Sequence, residues 1–280
     1  MIIAITGGSG RMGRVTVRHL AAQGHQLLSI DRVLPTPEQQ STIDDKTIRF
    51  ASVDLNNLEA LTETLKGCDA VVHLAAFPGP WGQAPGVVYA NNTLSSYNVL
   101  YASSSLGMRY VCLASSINAI GGLASKRGHF DYFPVDEKHP SHSEDDYSLS
   151  KWILEQQAES FANRFPEMTI SSLRFHALVD APPELQHTLE TAESGAARGV
   201  WGWTLIEEGA RACGLALQAE YRGHEVFYIT ARRTTSAIPT LELAAHAFPE
   251  VPIRKPLPGN TSFYDSSKAE RLLGWVHANG

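Results

Sequence analysis

Met1-Ile-Ile-Ala-Ile-Thr-Gly-Gly-Ser-Gly-Arg-Met-Gly13 is the stretch on which the fold turns. A β-branched apolar run feeds directly into Gly7-x-x-Gly10-x-x-Gly13, and residues 11–23 then place Met12, Val15 and Leu20 at helical spacing. In this strand–turn–helix setting each glycine has its own task. Gly7 permits the tight turn, Gly10 lets the backbone come close to a ligand, and Gly13 lets helix and strand pack together. The ligand such a turn suits is a pyrophosphate, because the first amides of a helix have no intrahelical acceptor and the helix dipole is positive there. Leu27-Leu28-Ser29-Ile30 is a second strand candidate and ends at Asp31. An acid about twenty residues past the glycines is where a ribose hydroxyl pair is read.

Working outward, the chain has 280 residues, 43% hydrophobic and 19% charged, enough for one sizeable core or for a large nucleotide-binding lobe with a small cap. The net charge is −6 and basic residues occur at most as adjacent pairs, such as Lys126-Arg127 and Arg232-Arg233. That distribution offers no field for nucleic acid and favours a small-molecule partner. Cys68, Cys112 and Cys213 are widely spaced, and Cys112 lies in an apolar run. They read as reduced core thiols, neither a disulfide framework nor a metal site, and no metal is expected. No apolar run approaches the roughly 20 residues that span a bilayer, and the first strand leaves no room for a signal peptide, so the expectation is a cytoplasmic protein without a membrane partner.

Strand candidates are 2–6, 26–30, 47–52, 70–75, 110–114 and 169–175; helical periodicity covers 58–65, 87–105 and 147–164, with Asn56/Asn57 and Pro85 as starts. Ala70-Val-Val-His-Leu-Ala-Ala76 is continuously apolar apart from its histidine, which fits a strand buried on both faces. Strands of this kind alternating with helices give an α/β fold, a doubly wound parallel Rossmann sheet. After Phe175 the texture changes: Pro182-Pro183, Gly195, Gly199 and Gly202 interrupt it, then a helix over 207–219, a strand over 225–230 and helices from 240 and over 266–273 follow. The expected organisation is a dinucleotide-binding core over 1–175 and a small substrate cap over 176–280, interleaved with a last strand of the sheet.

Tyr147-Ser-Leu-Ser-Lys151 is the second chemical signature. Residues four apart on a helix lie about 5–6 Å apart at Cβ, so the ammonium sits beside the phenol. A tyrosine with pKa near 10 is a poor base at neutral pH, and a neighbouring cation favours its phenolate. The spacing alone also fits a surface Tyr/Lys pair. Ser115-Ser116, at the end of the strand 110–114, adds a hydroxyl able to hold a reacting oxygen against the phenol, or simply terminates a strand.

With these elements assembled, the chain resembles the extended short-chain dehydrogenase/reductases, the NAD-dependent epimerase/dehydratase family, over nearly its full length. The resemblance rests on Thr6–Gly13, Asp31, Asp54-Leu55, His73-Leu-Ala-Ala76, Asn92, Ser115-Ser116, Tyr147-x-x-x-Lys151, Leu173-Arg174 and Lys268-Ala-x-x-Leu-Leu-Gly-Trp275. It implies Ser116, Tyr147 and Lys151 as the catalytic set, Tyr147 as acid/base, and Lys151 also on the nicotinamide ribose. It further implies cofactor contacts from Gly7, Ser9, Gly10, Arg11, Met12 and Gly13 in the turn, and from Asp31 at the adenosine ribose. Asp54 and Leu55 would flank adenine; Leu74, Ala75 and Ala76 would line the path to the nicotinamide; Phe175 would abut its ring; Asn92 would stand near the lysine. Asp31 favours NAD, since a carboxylate repels a 2′-phosphate, while Arg32 beside it leaves NADP open.

The substrate signals are thinner. Ala177 stands where nucleotide-sugar members carry an asparagine, and only about a hundred residues remain for a cap, which disfavours a nucleotide sugar. The short cap is similar to that of the uronate dehydrogenases, where an arginine meets the substrate carboxylate; Arg198 occupies that region and is either such an anchor or a solvated loop arginine. Ile117-Asn118 replaces the Asn-His of those enzymes. Phe77, Trp81, Ile117 and the Trp201/Trp203 pair suggest an apolar pocket, Ser115, Ser116 and Asn118 supply polar contacts, and His176 is either a pocket residue or structural. The expected activity is NAD(P)-dependent hydride transfer to or from a small secondary alcohol, hemiacetal or ketone. An epimerase or dehydratase using transient oxidation is the alternative, and a nucleotide-sensing protein the minor one. The resemblance also allows a homodimer.

Overall fold

The computed structural model describes residues 1–36 and 47–278, so positions 279 and 280 of the expected cap lie outside the described residues. In chain order the core elements are β1 (Ile2–Thr6), α1 (Arg11–Ala22), β2 (Gln26–Asp31), β3 (Ile48–Ser52), α2 (Leu58–Leu65), β4 (Ala70–His73), α3 (Val87–Ser105), β5 (Tyr110–Ser116), a 3₁₀ turn (Ile117–Ile120), α4 (Asp146–Arg164) and β6 (Thr169–Phe175). Beyond them follow β7 (Leu178–Val179), α5 (Gly195–Arg198), β8 (Thr204–Leu205), α6 (Ile206–Ala216), β9 (Gly223–Ile229), α7 (Thr240–Ala247) and α8 (Ser267–Leu273).

Seven strands pair in parallel in the order β3-β2-β1-β4-β5-β6-β9, while β7 and β8 form a separate pair. Every residue of β4 and β6 is buried, which is why both read as near-continuous runs: helices cover both faces of the sheet. One face packs α1, α6 and α8 through Val17, Leu20, Ala212, Cys213 and Leu273 against Ile3, Ile5 and Leu173. The other packs α2, α3 and α4 through Leu61, Val99, Leu154 and Phe161 against Ala4, Val71 and Leu113. A third apolar cluster, with Phe133, Trp201, Tyr228, Phe248 and Phe263, lies among the later segments and touches the sheet end through Ile117 and Ile120. The chain leaves β1 through α1 on one face and β4 through α3 on the other, so the connections after these paired neighbours diverge and open a crevice past their carboxyl ends.

The elements depart from the sequence expectation mainly at their ends. β4 stops at His73, two residues early, and Leu74–Ala76 continue as loop along the crevice, although the Leu74 amide still donates to Thr6 O at 3.1 Å. β5 runs two residues further, because Ser115 and Ser116 keep pairing with Arg174 and Phe175 of β6. α3 has the expected bounds, beginning after Gly86, whose amide donates to Asp146 Oδ2 at 2.6 Å. α4 begins one residue early, where the Asp145 carboxylate accepts from the amides of Tyr147 and Ser148, an N-cap directly before the catalytic candidate. α6 ends at Ala216, three residues short, where the chain tightens into i→i+3 bonds from Leu217 and Gln218.

Candidate active site

The crevice is lined in two connected parts that share Gly7, Gly10, Leu74 and Ala76. The narrower part, about 160 Å³, is bounded by Asp31, Arg32, Asp54, Leu55 and Ala75. The wider part, about 600 Å³, is bounded by Arg11, Met12, Gly13, Trp81, Ser115, Ser116, Ile117, Asn118, Tyr147, Lys151, Phe175 and His176. Residues from six strand ends and three helices therefore meet in one groove.

Its floor is the glycine turn. Gly7 has φ +73°, and a Cβ there would lie 2.7 Å from Ala75 N, so it satisfies both a left-handed turn and close contact with the neighbouring loop. A Cβ on Gly13 would lie 2.1 Å from Gly7 O, which is the close packing of α1 on the turn. α1 starts at Gly10 with no side-chain cap, which leaves its opening amides to a ligand. Across the turn, Asp31 Oδ2 accepts from the Ser9 amide at 3.1 Å and Oδ1 from the Arg32 amide at 2.7 Å, which fixes the carboxylate at the mouth of the narrow part. The Ser9 hydroxyl donates to Val33 O at 2.7 Å, and Arg11 donates to Leu178 O at 2.7 Å and pairs with Asp180 at 2.9 Å.

At the wide end, the Ser116 hydroxyl stands close enough to the Tyr147 phenol to act on its titration, and it accepts from the Asn118 amide at 3.1 Å. Lys151 Nζ lies 5.7 Å from the Tyr147 ring centroid and donates to Ala114 O at 2.8 Å. Burial pushes the Tyr147 phenol up; the Ser116 hydroxyl acts in the opposite direction and Asp145 reinforces the rise. Burial likewise pulls Lys151 down, to about 8, against the pull of Glu155. Desolvation is thus the largest influence on the phenol in this buried setting, and it acts against the phenolate that a neighbouring ammonium favours.

The sequence pattern of the family described as "NAD dependent epimerase/dehydratase family" matches residues 3–229. The chain belongs to that family. A relative, the L-arabinose 1-dehydrogenase (NAD(P)(+)) of Haloferax volcanii, is 30% identical over 207 residues, 71% of this chain and 76% of that protein. The dTDP-6-deoxy-L-talose 4-dehydrogenase (NAD(+)) of Aggregatibacter actinomycetemcomitans is 25% identical over 63% of this chain and 61% of its own length. For the first curated relatives the chain spans only 46% and 61% of their length. Among solved structures, a mutated uronate dehydrogenase superposes with TM-score 0.70 at 19% identity, covering 98% of this chain and 80% of that one.

Within this family member several sequence-predicted residues are placed elsewhere than expected. The Ser115 hydroxyl donates to Glu155 Oε1 at 2.6 Å, so it is committed to the protein although its backbone borders the groove. Asn92 is not among the lining residues and stands beside the residue before Lys151: its Oδ1 accepts from the Phe77 amide at 2.9 Å and its Nδ2 donates to Phe77 O and to Ser150 Oγ, both at 3.1 Å. Phe77 is likewise outside the wall, its ring beside the Arg32 guanidinium at 5.7 Å. Arg198 is not among the lining residues, and its Nη1 donates to Ser125 O at 2.5 Å. Trp201 is 1% and Trp203 5% exposed; Trp201 packs into the third apolar cluster and Trp203 donates to Arg233 O, so neither lines the pocket. His176 borders the groove but serves structure: Nε2 meets Gly199 O at 2.9 Å, the Ala177 amide donates to Nδ1, and burial pulls the ring down to about 4.

Other wall residues escaped the sequence reading. Val53, Asn56, Asn91 and Ser95 line the narrow part, and Leu123, Ala177 and Leu178 the wide part. Their contributions come from loops and a helix face brought over by the topology, and no local pattern marks them. Gly8 could have been found, as the fourth glycine of the turn: a Cβ there would collide with the Ser29 hydroxyl at 2.1 Å.

Proposed function

We propose that this chain is an NAD-dependent oxidoreductase acting on a small, uncharged secondary alcohol, hemiacetal or ketone. The observation that carries the reading is the convergence of Ser116, Tyr147 and Lys151 in one groove with the glycine turn and Asp31. The donor set fits a dinucleotide. The opening amides of α1 and the space left by Gly7 and Gly10 would hold the pyrophosphate, Asp31 the adenosine ribose, Asp54 and Leu55 the adenine, and Lys151 with Phe175 the nicotinamide end. Bound there, NAD supplies a carbon that accepts hydride from a carbinol or, when reduced, returns it to a carbonyl.

The protein's own part is proton handling and positioning. Tyr147, protonated at neutral pH, gives its proton to a carbonyl oxygen as that carbon is reduced and recovers one in the reverse direction. Ser116 holds the same oxygen by hydrogen bond, and the Lys151 ammonium offsets negative charge that develops on phenol or substrate oxygen. A neutral substrate is favoured because the two cations that reach the wide part, Arg11 and Lys151, already have protein partners, and Arg198, outside the lining, donates to Ser125 O. Met12, Trp81, Ile117, Leu123 and Leu178 make the remaining wall apolar.

Asp31 supports NAD over NADP, while Arg32 at the same mouth keeps NADP as the weaker alternative. The named relatives include an NAD(+) and an NAD(P)(+) dehydrogenase, which supports net redox chemistry. The same proton set would serve transient oxidation in an epimerase, the second reading. Leu94, Tyr97 and Tyr101 on α3 and Leu149 and Trp152 on α4 leave an exposed apolar face that supports a homodimer through these helices. The three cysteines, free and buried, support a reducing cytoplasmic setting, and among the described residues no helix is long and apolar enough to cross a membrane.

A panel of neutral aldoses, secondary alcohols, ketones and uronic acids, assayed by NADH absorbance with NADPH in parallel, tests the reading. Net NADH change on a neutral substrate, with turnover at least about a hundredfold lower in Tyr147→Phe while NAD still binds, is the expected result. Full turnover by Tyr147→Phe removes the mechanism, and turnover without net cofactor change selects the epimerase.

A further inference from the structure

We propose that His129, Asp131 and His142 form a divalent-metal site, distinct from the crevice, on the segment that links the two catalytic elements. His142 Nε2 lies 2.7 Å and His129 Nε2 3.8 Å from the same Asp131 Oδ1, and one donor atom from each of the three residues falls within 4.8 Å of the others. The two imidazoles are parallel, 3.9 Å between centroids and 3° between planes, so both edge nitrogens face one carboxylate oxygen. Metal–nitrogen and metal–oxygen lengths of about 2.0–2.2 Å set tetrahedral ligand atoms roughly 3.3 Å apart. Small rotations therefore bring the set to bonding geometry, and His129, whose side chain is 65% exposed, is free to make the largest.

The ligands are braced from behind, as metal ligands generally are. The Asp131 amide donates to His139 Nε2 at 2.8 Å, and that ring's other nitrogen bonds Pro140 O at 2.8 Å. The His142 amide donates to Ile120 O at 2.7 Å, and the adjoining Ser141 hydroxyl to Ala119 O at 2.7 Å. Asp131 and His142 are thus held by backbone contacts that a ligand does not have to form anew.

An ion pair alone is a poor account of this cluster. One carboxylate oxygen serves one imidazolium, and two stacked imidazolium rings would repel each other, whereas a divalent ion takes the lone pair of both neutral rings at once. Two imidazoles and one carboxylate suit Zn²⁺, Co²⁺, Ni²⁺ or Cu²⁺ rather than Mg²⁺ or Ca²⁺, with water in the remaining positions. The residues bear on the active region by their place in the chain. Ile117–Ile120, held by the Ser141 hydroxyl and the His142 amide, directly follows Ser116, and Asp145, three residues past His142, caps the helix that carries Tyr147. An ion here would tie that connection together.

The test uses the full chain without a histidine tag, stripped with chelator and titrated with Zn²⁺ by calorimetry and with Co²⁺ by visible absorption. One ion per chain, ligand-field bands with Co²⁺, and a raised melting temperature with Zn²⁺ are expected, with binding weakened about tenfold or more in His129→Ala, Asp131→Asn and His142→Ala. Circular dichroism and NAD titration of each variant report whether it folds, and exposed His129 keeps the test valid if the other two variants do not. Absence of stoichiometric uptake by the wild type, or uptake unchanged in His129→Ala, overturns the proposal.

Discussion

Glu155 clasps Arg174 through Nε–Oε1 at 2.9 Å and Nη2–Oε2 at 2.7 Å, both side chains being at most 4% exposed, and the same Oε1 receives the Ser115 hydroxyl. Arg174 Nη1 also donates to the Tyr228 hydroxyl Oη at 3.0 Å. The pair joins α4 to β6 directly beneath the groove, and Glu155 is the charge that favours the protonated form of Lys151. Glu155→Ala strands a buried guanidinium and should cost about 3–5 kcal/mol in urea unfolding. A loss under about 1 kcal/mol would mean that Arg174 finds other partners.

Gly13→Ala should damage stability and cofactor binding together. The added methyl group meets backbone rather than a movable side chain, Gly7 O at 2.1 Å and Gly8 Cα at 2.7 Å. Overpacking of this kind costs roughly 1–3 kcal/mol and would shift the turn proposed to receive the pyrophosphate. Gly195→Ala, with no atom within 4 Å of the new Cβ, is the control and should be nearly neutral. Calorimetric melting and NAD fluorescence titration of both variants decide the matter.

Acid should weaken the fold before the carboxylates titrate. Burial, with Lys151 adding to it, pulls His73 down to about 3, and burial pulls His176 down to about 4, from an ordinary value of 6.5. Below pH 6.5 the unfolded chain therefore binds protons that the folded chain refuses, and stability declines as pH falls from 6.5 toward 4. Each ring contributes about 2 kcal/mol of loss by pH 5. Urea midpoints measured at pH 7, 6 and 5 should fall progressively, and His176→Gln should flatten the slope by about one proton; an unchanged slope would show that His176 titrates normally.

Asp31→Ala should lower the preference for NAD over NADP. The carboxylate is pinned at the mouth of the narrow cleft by the Ser9 and Arg32 amides, with Arg32 lining the same cleft, and on the proposed reading it would oppose a 2′-phosphate. Removing it leaves the arginine as the dominant charge. The ratio of kcat/KM values for the two cofactors reads the effect, and a constant ratio would discard this role for Asp31.

The legible part of the protein was the part written in short-range pattern. The sequence by itself determined the strand–turn–helix of residues 2–22, the parallel sheet implied by fully buried runs such as Ala70–His73, and the helix that sets Tyr147 beside Lys151, because periodicity and glycine stereochemistry act within a few residues. Tertiary structure alone decided which polar groups face the groove. Ser115 and Ser116 are neighbours on one strand, yet the alternation of the strand gives the first to Glu155, 40 residues away, and the second to Tyr147. Arg198 was spent on a carbonyl 73 residues back, Trp201 was drawn into the cap cluster, and His129 and His142 were stacked across a loop. Each outcome depends on a buried group finding its partner from distant chain, and a buried hydrogen-bonding group left unmatched costs too much for local sequence to settle where it points.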